Sequence, residues 1–234
     1  MSAIYRRELN AYFTSPIAYV VYAVAALFSG IFFWAMVLSR DTTDMTFEFL
    51  NMISIIIILV PILTMRLFSE EKNKKTEQGL LTAPVNLFEI VMGKYLAALT
   101  VYAVMMLIFV IHAVIISTYA APSWPTIFCN ILGLILFGAA LISIGTFISS
   151  LTESQIVAAI VSIGAGLLIS YLDAIAGSLG ITFIQNILYN ISFTTPYQNF
   201  ASGIINLSDV VFFISIPLLF NFLTIKVLER RRWN

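Results

Sequence analysis

The segment that decides the reading is Arg66-Leu-Phe-Ser-Glu-Glu-Lys-Asn-Lys-Lys-Thr-Glu-Gln-Gly-Leu-Leu-Thr-Ala-Pro-Val-Asn-Leu-Phe-Glu-Ile-Val-Met-Gly-Lys94. It carries nine of the 24 formal charges (12 basic plus 12 acidic), and Glu70, Glu71, Lys72, Lys74, Lys75 and Glu77 fall within eight residues. At about 2.5 to 3.5 kcal/mol for each charged side chain at a bilayer centre, burying those six in lipid would cost on the order of 15 to 20 kcal/mol. The segment therefore sits in water or against another protein.

Around it the chain is nearly continuous hydrocarbon. Of 234 residues 60% are hydrophobic and 10% charged, with a mean hydropathy of +0.99. Soluble domains have about 45–50% apolar and about 25% charged residues, so this composition excludes that class and defines an all-α integral membrane protein. Helices of about 20 residues leave space for roughly six spans in one membrane domain, residues 1–234. Arg6 and Arg7 precede an apolar run, Ile17 to Leu38, that exceeds a signal-peptide core of roughly 7–15 residues; it is read as a retained first span.

Residues 3–14 put Tyr5, Leu9, Tyr12 and Phe13 on one helical face and Arg6, Arg7 and Asn10 opposite, the pattern of an amphipathic helix lying in the membrane interface. Ser15-Pro16 is a helix cap with proline at the first helical position. A loop, Arg40 to Glu48, leads to a second span, about Phe47 to Met65, that Pro61 should kink. Further spans are expected at about Tyr95 to Ile116, Ile127 to Ile148, Gln155 to Leu172 and Val210 to Leu228. Ser150-Leu-Thr-Glu153 reads as a capping box between the fourth and fifth, and Asp209 as the cap of the last.

In the fifth span Ala158, Ser162, Gly166 and Ser170 recur every four residues. This small-residue ridge is expected to be a packing seam, inside the protomer or between two protomers. Residues 174–208 carry no charge but are broken by Gly177, Gly180, Pro196 and Gly203, and are read as an outer re-entrant segment.

Six spans place both termini and the 66–94 segment on one side, with 11 basic residues there and Arg40 alone opposite. The positive-inside rule makes that side cytoplasmic. Inside the spans the only ionisable candidate is His112, with no intramembrane partner in view; it is read as a neutral histidine hydrogen-bonded between helices. The absence of paired intramembrane charges argues against an ion-coupled transporter.

Cys129 and His112 cannot form a metal site by themselves, and Cys129 has no disulfide partner within the chain. Gly93-Lys94 lacks the earlier glycine and following Ser or Thr of a P-loop, so no ATP site or other cofactor is expected here. Nothing in the pattern points to nucleic acid.

Within the charged segment, Ser69 before Glu70 and Glu71 reads as a helix cap followed by acids. Thr76-Glu77 opens a second short helix that ends at Ala83-Pro84, and Asn86 with Glu89 opens the helix into the third span. A compact projection results, with Leu80 and Leu81 at its tip or base.

Five stretches carry a resemblance. They are Tyr5 to Tyr19, Pro61 to Lys72, Thr76 to Val85, Gly93-Lys-Tyr95 and the closing Glu229-Arg-Arg-Arg-Trp233. They are similar to permease subunits of type 2 ABC exporters, and among these most resemble the gliding-motility-type permeases. The resemblance implies six spans, an amphipathic connecting helix and a cytoplasmic coupling helix between spans two and three. It further implies docking of that helix on a separate P-loop ATPase subunit, through Glu70, Glu71, Lys72, Thr76, Glu77, Leu80, Leu81 and Pro84. A second permease chain, membrane lipids around it and a bacterial-type inner membrane complete the expectation. The competing readings are a stand-alone channel or secondary transporter, and a membrane scaffold that recruits a cytoplasmic partner.

Overall fold

The computed structural model describes residues 1–82, 85–179 and 182–232. Over these residues it is all-helical, with thirteen α-helices and one 3-10 turn. Helix α1, Ser2–Thr14, precedes α2, Pro16–Met36; the Ser15 hydroxyl accepts from the Ile17 amide at 3.3 Å, the cap predicted from sequence. Helix α3, Thr46–Thr64, passes through Met65 into α4, Arg66–Asn73, so the break falls one turn after Pro61. The short α5, Glu77–Thr82, precedes α6, Leu87–Met105, and α7, Leu107–Ser117, which continues the same span. Helix α8 is Trp124–Leu151 and α9 is Gln155–Ser170. Three short helices follow, α10 (Leu172–Leu179), α11 (Thr182–Ile191) and α12 (Thr194–Ala201), before α13, Leu207–Arg232.

Five stretches are long and apolar enough to cross a membrane: Pro16–Arg40, Thr46–Asn73, Leu87–Ser117, Trp124–Leu151 and Leu207–Arg232. Helix α9 is apolar but spans 16 residues, about 24 Å at 1.5 Å per residue, short of a hydrocarbon core of about 30 Å. Its buried residues are Ala158, Ser162, Gly166 and Ser170, and it packs on α3 and α8 of the same chain. A Cβ on Gly166 would lie 3.1 Å from Ile57, which shows how closely α9 approaches α3.

Helix α8 is the axis of the bundle, packed against α3, α4, α6, α9, α12 and α13. Its inward face is rich in small residues, among them Gly138, Ala140, Ser143, Gly145 and Ser149. Gly145 has no room for a side chain, since a Cβ there would fall 2.2 Å from the Thr64 hydroxyl. Lipid supplies no hydrophobic drive between helices, so such close contact is what holds them. At one end of the bundle Phe137, Phe193, Tyr197, Phe200 and Phe213 interlock, with centroid separations of 5.6 to 6.3 Å, and fix α12 between α8 and α13.

Three expected caps are displaced. Ser69 lies inside α4, which already begins at Arg66, and its hydroxyl turns back to the Met65 carbonyl. The turn after α8 is capped by Ser154, whose hydroxyl accepts from Val157 at 3.4 Å, while the Ser150 hydroxyl donates to Phe147. Asp209 sits in the first turn of α13 and accepts from Asn199 at 2.8 Å instead of capping it. Ser69 and Ser150 thus lie inside helices and bond back to their own preceding turn, and only Asp209 is taken by a partner in another element, Asn199 of α12. Asn86 does precede α6, but its side chain makes no cap bond.

Both described ends of the chain meet at the α4–α5 end of the bundle. The terminal amine pairs with Glu89 at 3.1 Å and Arg231 with Glu77 at 3.1 Å. The turn between α8 and α9 lies there too, through Lys72 and Glu153 at 3.4 Å.

Candidate coupling site

The site is built on a lysine that the fold buries. Lys94 is 1% exposed near the start of α6, and its ammonium lies 3.1 Å from Glu8 Oε1, 3.0 Å from Glu71 Oε1 and 2.7 Å from the Leu67 carbonyl. A buried ammonium is stable only when its donors are satisfied and its charge matched, and here three donors meet three acceptors. The ring of Phe68 covers it, with the nitrogen 5.2 Å from the centroid. Arg7 closes the cluster from outside, its Nη2 lying 2.6 Å from Glu8 Oε1 and 2.7 Å from Glu71 Oε1. Two cations thus balance two carboxylates across α1, α4 and α6.

Burial opposes ionisation of Glu8, but Lys94 and Arg7 outweigh it and hold the carboxyl below the usual carboxylate range. Burial likewise opposes the charge on Arg7, and Glu8 with Glu71 overcome it and raise the guanidinium. Glu71 Oε2 is buried with no hydrogen-bond partner among the described residues.

Neighbouring contacts make this end one unit. Tyr12 donates to the Leu63 carbonyl at 2.6 Å, and Arg66 lies 4.4 Å from the Tyr12 ring centroid. Ser149 of α8 accepts from the Phe68 and Ser69 amides at 3.1 and 3.2 Å and donates to the Met65 carbonyl at 2.9 Å, bracing the α3–α4 break. Gly93 lets α1 lie on α6, since a Cβ there would be 3.0 Å from Ile4.

The residues singled out from sequence are therefore divided in role. Glu71 belongs to the buried clamp, whereas Glu70 pairs with Lys74 at 2.7 Å on the surface. Lys72 reaches Glu153, Glu77 reaches Arg231, and Thr76 folds back on the Glu71 carbonyl through its amide at 2.9 Å. Leu80 and Leu81 belong to α5, but their side chains, and Pro84 entirely, lie outside the described residues. Arg7, Glu8, Lys94 and Ser149 were missed as site residues. The signal for Lys94 was available: it is a charge inside an apolar helical run.

His112 is hydrogen-bonded between helices, as its sequence context suggests, but it has the intramembrane partner that the sequence did not reveal. Its Nδ1 lies 2.6 Å from Glu48 Oε1, and Ser29 donates to the same oxygen at 3.0 Å. Phe33 stacks on the imidazole at 4.2 Å and 15°. Glu48 had been placed in the loop before the second span, but α3 starts at Thr46 and buries it completely. An intramembrane acid–histidine pair is therefore present, joining α2, α3 and α7. It lies about 27 Å along α3–α4 from Arg66, at the opposite end of the bundle.

A bundle of long apolar helices with a braced charged projection at one end defines a polytopic membrane protein of the permease kind. Residues 1–173 match the ABC-2 type transporter membrane domain, so the chain belongs to that family. Such a domain is the membrane component of its transporter and is not itself catalytic. Compared with curated proteins, the chain has no significant match.

Proposed function

We propose that the chain is the permease subunit of an ATP-driven exporter of the gliding-motility-like type, moved by a separate P-loop ATPase subunit that docks on α4 and α5. The single observation that carries this reading, given the family, is the Lys94 clamp. A load applied to α4 through Glu70 or Lys72 reaches α1 and α6 directly, and α8 through Ser149, while Thr76, Glu77, Leu80, Leu81 and Pro84 are the remaining docking residues proposed on and beside α5. Helices joined by buried, matched charges move together, because separating them would strand a charge in a low-dielectric site.

Six crossings fit better than five. Both chain ends meet at the coupling end, which needs an even number of crossings, and five long helices leave the sixth to α9 extended by α10. The Tyr171 amide still bonds the Leu167 carbonyl at 2.9 Å and Ile175 bonds Tyr171 at 3.2 Å, so the two helices run on with little break. The 11-to-1 distribution of basic residues makes the coupling end cytoplasmic in a bacterial-type inner membrane. Of the outer re-entrant segment read over 174–208, the first residues then belong to α10 and complete the crossing, and α11 and α12 form the element at the outer face. The exposed face of α9, with Ile156, Ile160 and Leu168, supports a second permease chain as its partner.

The Glu48–His112 pair favours the other reading, a secondary transporter with an intramembrane relay. Against it, Glu48 is 0% exposed and the pair has one link on either side, Ser29 and Phe33, with no further ionisable group joined to it among the described residues. Copurification from the native membrane followed by ATPase assay decides. The permease reading expects a bound P-loop ATPase whose hydrolysis falls when Glu70 and Lys72 are reversed in charge while membrane insertion is kept. Pure, ATPase-free protein that catalyses proton-driven flux would overturn it.

A further inference from the structure

A groove of about 550 Å3 runs between α6, α8 and α13, lined by Met92, Tyr95, Leu99, Leu136, Phe213 and Pro217. At its coupling end it joins a second cavity of about 500 Å3 through Phe88, Phe222 and Ile225, which line both. The second has a mixed lining, with Lys226, Glu229, Arg232 and Glu89 beside Leu87, Phe88 and Phe222. Lys226 is 2.7 Å from Glu229 and Glu89 is 3.1 Å from the terminal amine, so the charges pair off and Arg232 adds a positive one.

We infer that this groove is a binding site for an anionic phospholipid, with one acyl chain along α13 and the phosphate at Lys226 and Arg232. The dimensions fit one leaflet. From Phe213 to Ile225 the groove follows α13 for 12 residues, about 18 Å, against about 15 Å for half of a 30 Å hydrocarbon core. It is open outward, with Leu218 68% and Phe222 55% exposed, as a lipid-facing groove must be. Basic pockets between spans on the cytoplasmic side are where anionic head groups bind, each Lys or Arg adding attraction. A second feature points to a ligand with polar atoms: Asn221 lines the groove, is 5% exposed, and has a buried Oδ1 with no partner among the described residues. It lies five residues from Lys226, about 8 Å, at the depth of a bound lipid's glycerol region and its waters.

The site also touches both moving parts of the proposed mechanism, since α6 carries Lys94 and α13 carries Arg231, but lipid binding itself does not depend on that mechanism. The test is native mass spectrometry of the full chain, purified in mild detergent and exchanged into micelles with phosphatidylglycerol or phosphatidylcholine. Wild-type protein should retain one phosphatidylglycerol in preference to phosphatidylcholine. The K226Q/R232Q variant should lose that preference by about tenfold or more, and the groove-filling variant I214W/L218W should lose the bound lipid while keeping its helicity. Glycerol 3-phosphate should not displace the lipid; displacement would mean a soluble phosphate site, which overturns the proposal. Equal retention of the two lipids, or unchanged retention in both variants, also overturns it. So does a dimer that becomes monomeric in I214W/L218W with lipid retention unchanged, because the groove would then hold a second chain.

Discussion

The two ends of this bundle bury ionisable groups in opposite ways. At the coupling end Lys94, Glu8, Glu71 and Arg7 form a four-charge set that is matched in number and open to solvent at Arg7, which is 52% exposed. At the far end Glu48 and His112 form a single pair sealed against Phe33, with Glu48 Oε2 unpartnered among the described residues. The first arrangement ties α1 and α4 to α6 of the bundle; the second pins three spans to one another. A matched set spread over α1, α4 and α6 makes those helices move as one, because separating them would strand a charge, whereas a sealed pair favours one packing of the spans it joins.

The largest expected effect breaks the first arrangement. Lys94→Met leaves Glu8 and Glu71 facing each other with only Arg7 between them, and should cost about 3–5 kcal/mol by thermal unfolding in detergent. Adding Glu8→Gln and Glu71→Gln should recover much of that loss. If the single and triple variants unfold alike, the charges are not what holds α1 to α4. Next, Glu48→Gln keeps a hydrogen-bonding group for His112 and Ser29 but removes the charge; a cost of about 1–2 kcal/mol is expected, smaller than that of Lys94→Met. A larger loss at Glu48 would reverse the ranking of the two ends.

Ser149→Ala removes the acceptor shared by the Phe68 and Ser69 amides and should cost about 1 kcal/mol, with faster hydrogen exchange at those two amides as the specific sign. Glu70→Gln, which breaks only the exposed pair with Lys74, should change stability by less than about 0.5 kcal/mol. Acid should act on the clamp in one direction. The folded-state pKa of Glu8 lies below its ordinary value of 4.5, so its stabilising effect is fully present above that pH and is lost as pH falls through the folded value. The midpoint of thermal unfolding in detergent should therefore be flat from about pH 7 to 5 and fall below about 4.5. A fall that begins near neutrality would assign the clamp to another group.

The all-helical membrane architecture, the first helix at residues 2–14, the Ser15-Pro16 start and the short helix at Glu77 were legible from hydropathy period, proline and capping chemistry, because these act within a few residues. Helix starts at Arg66 and Leu207 were not, since α4 runs on from α3 through Met65, leaving Ser69 inside the helix, and Asp209 takes Asn199 of α12 as its partner. His112 looked partnerless for the same reason: Glu48 is 64 residues away and stands at the edge of its span, where sequence alone reads a loop. The charged segment at 66–94 stands out in the sequence, but which of its charges face inward does not, because Glu70 and Glu71 are adjacent and only the packing of α1 and α6 separates their roles.

What the sequence by itself determined is where charge is too costly for lipid, and hence the long apolar helical stretches and the charged break around residues 70–77 between two of them. Those follow from transfer free energies that belong to each residue type. Only the tertiary structure decided that Lys94 is the joint of three helices, that Glu48 and His112 form a pair, and that α6, α8 and α13 leave a groove between them. Such features are set by distances between helices far apart in the chain, and a one-dimensional pattern carries no record of those distances.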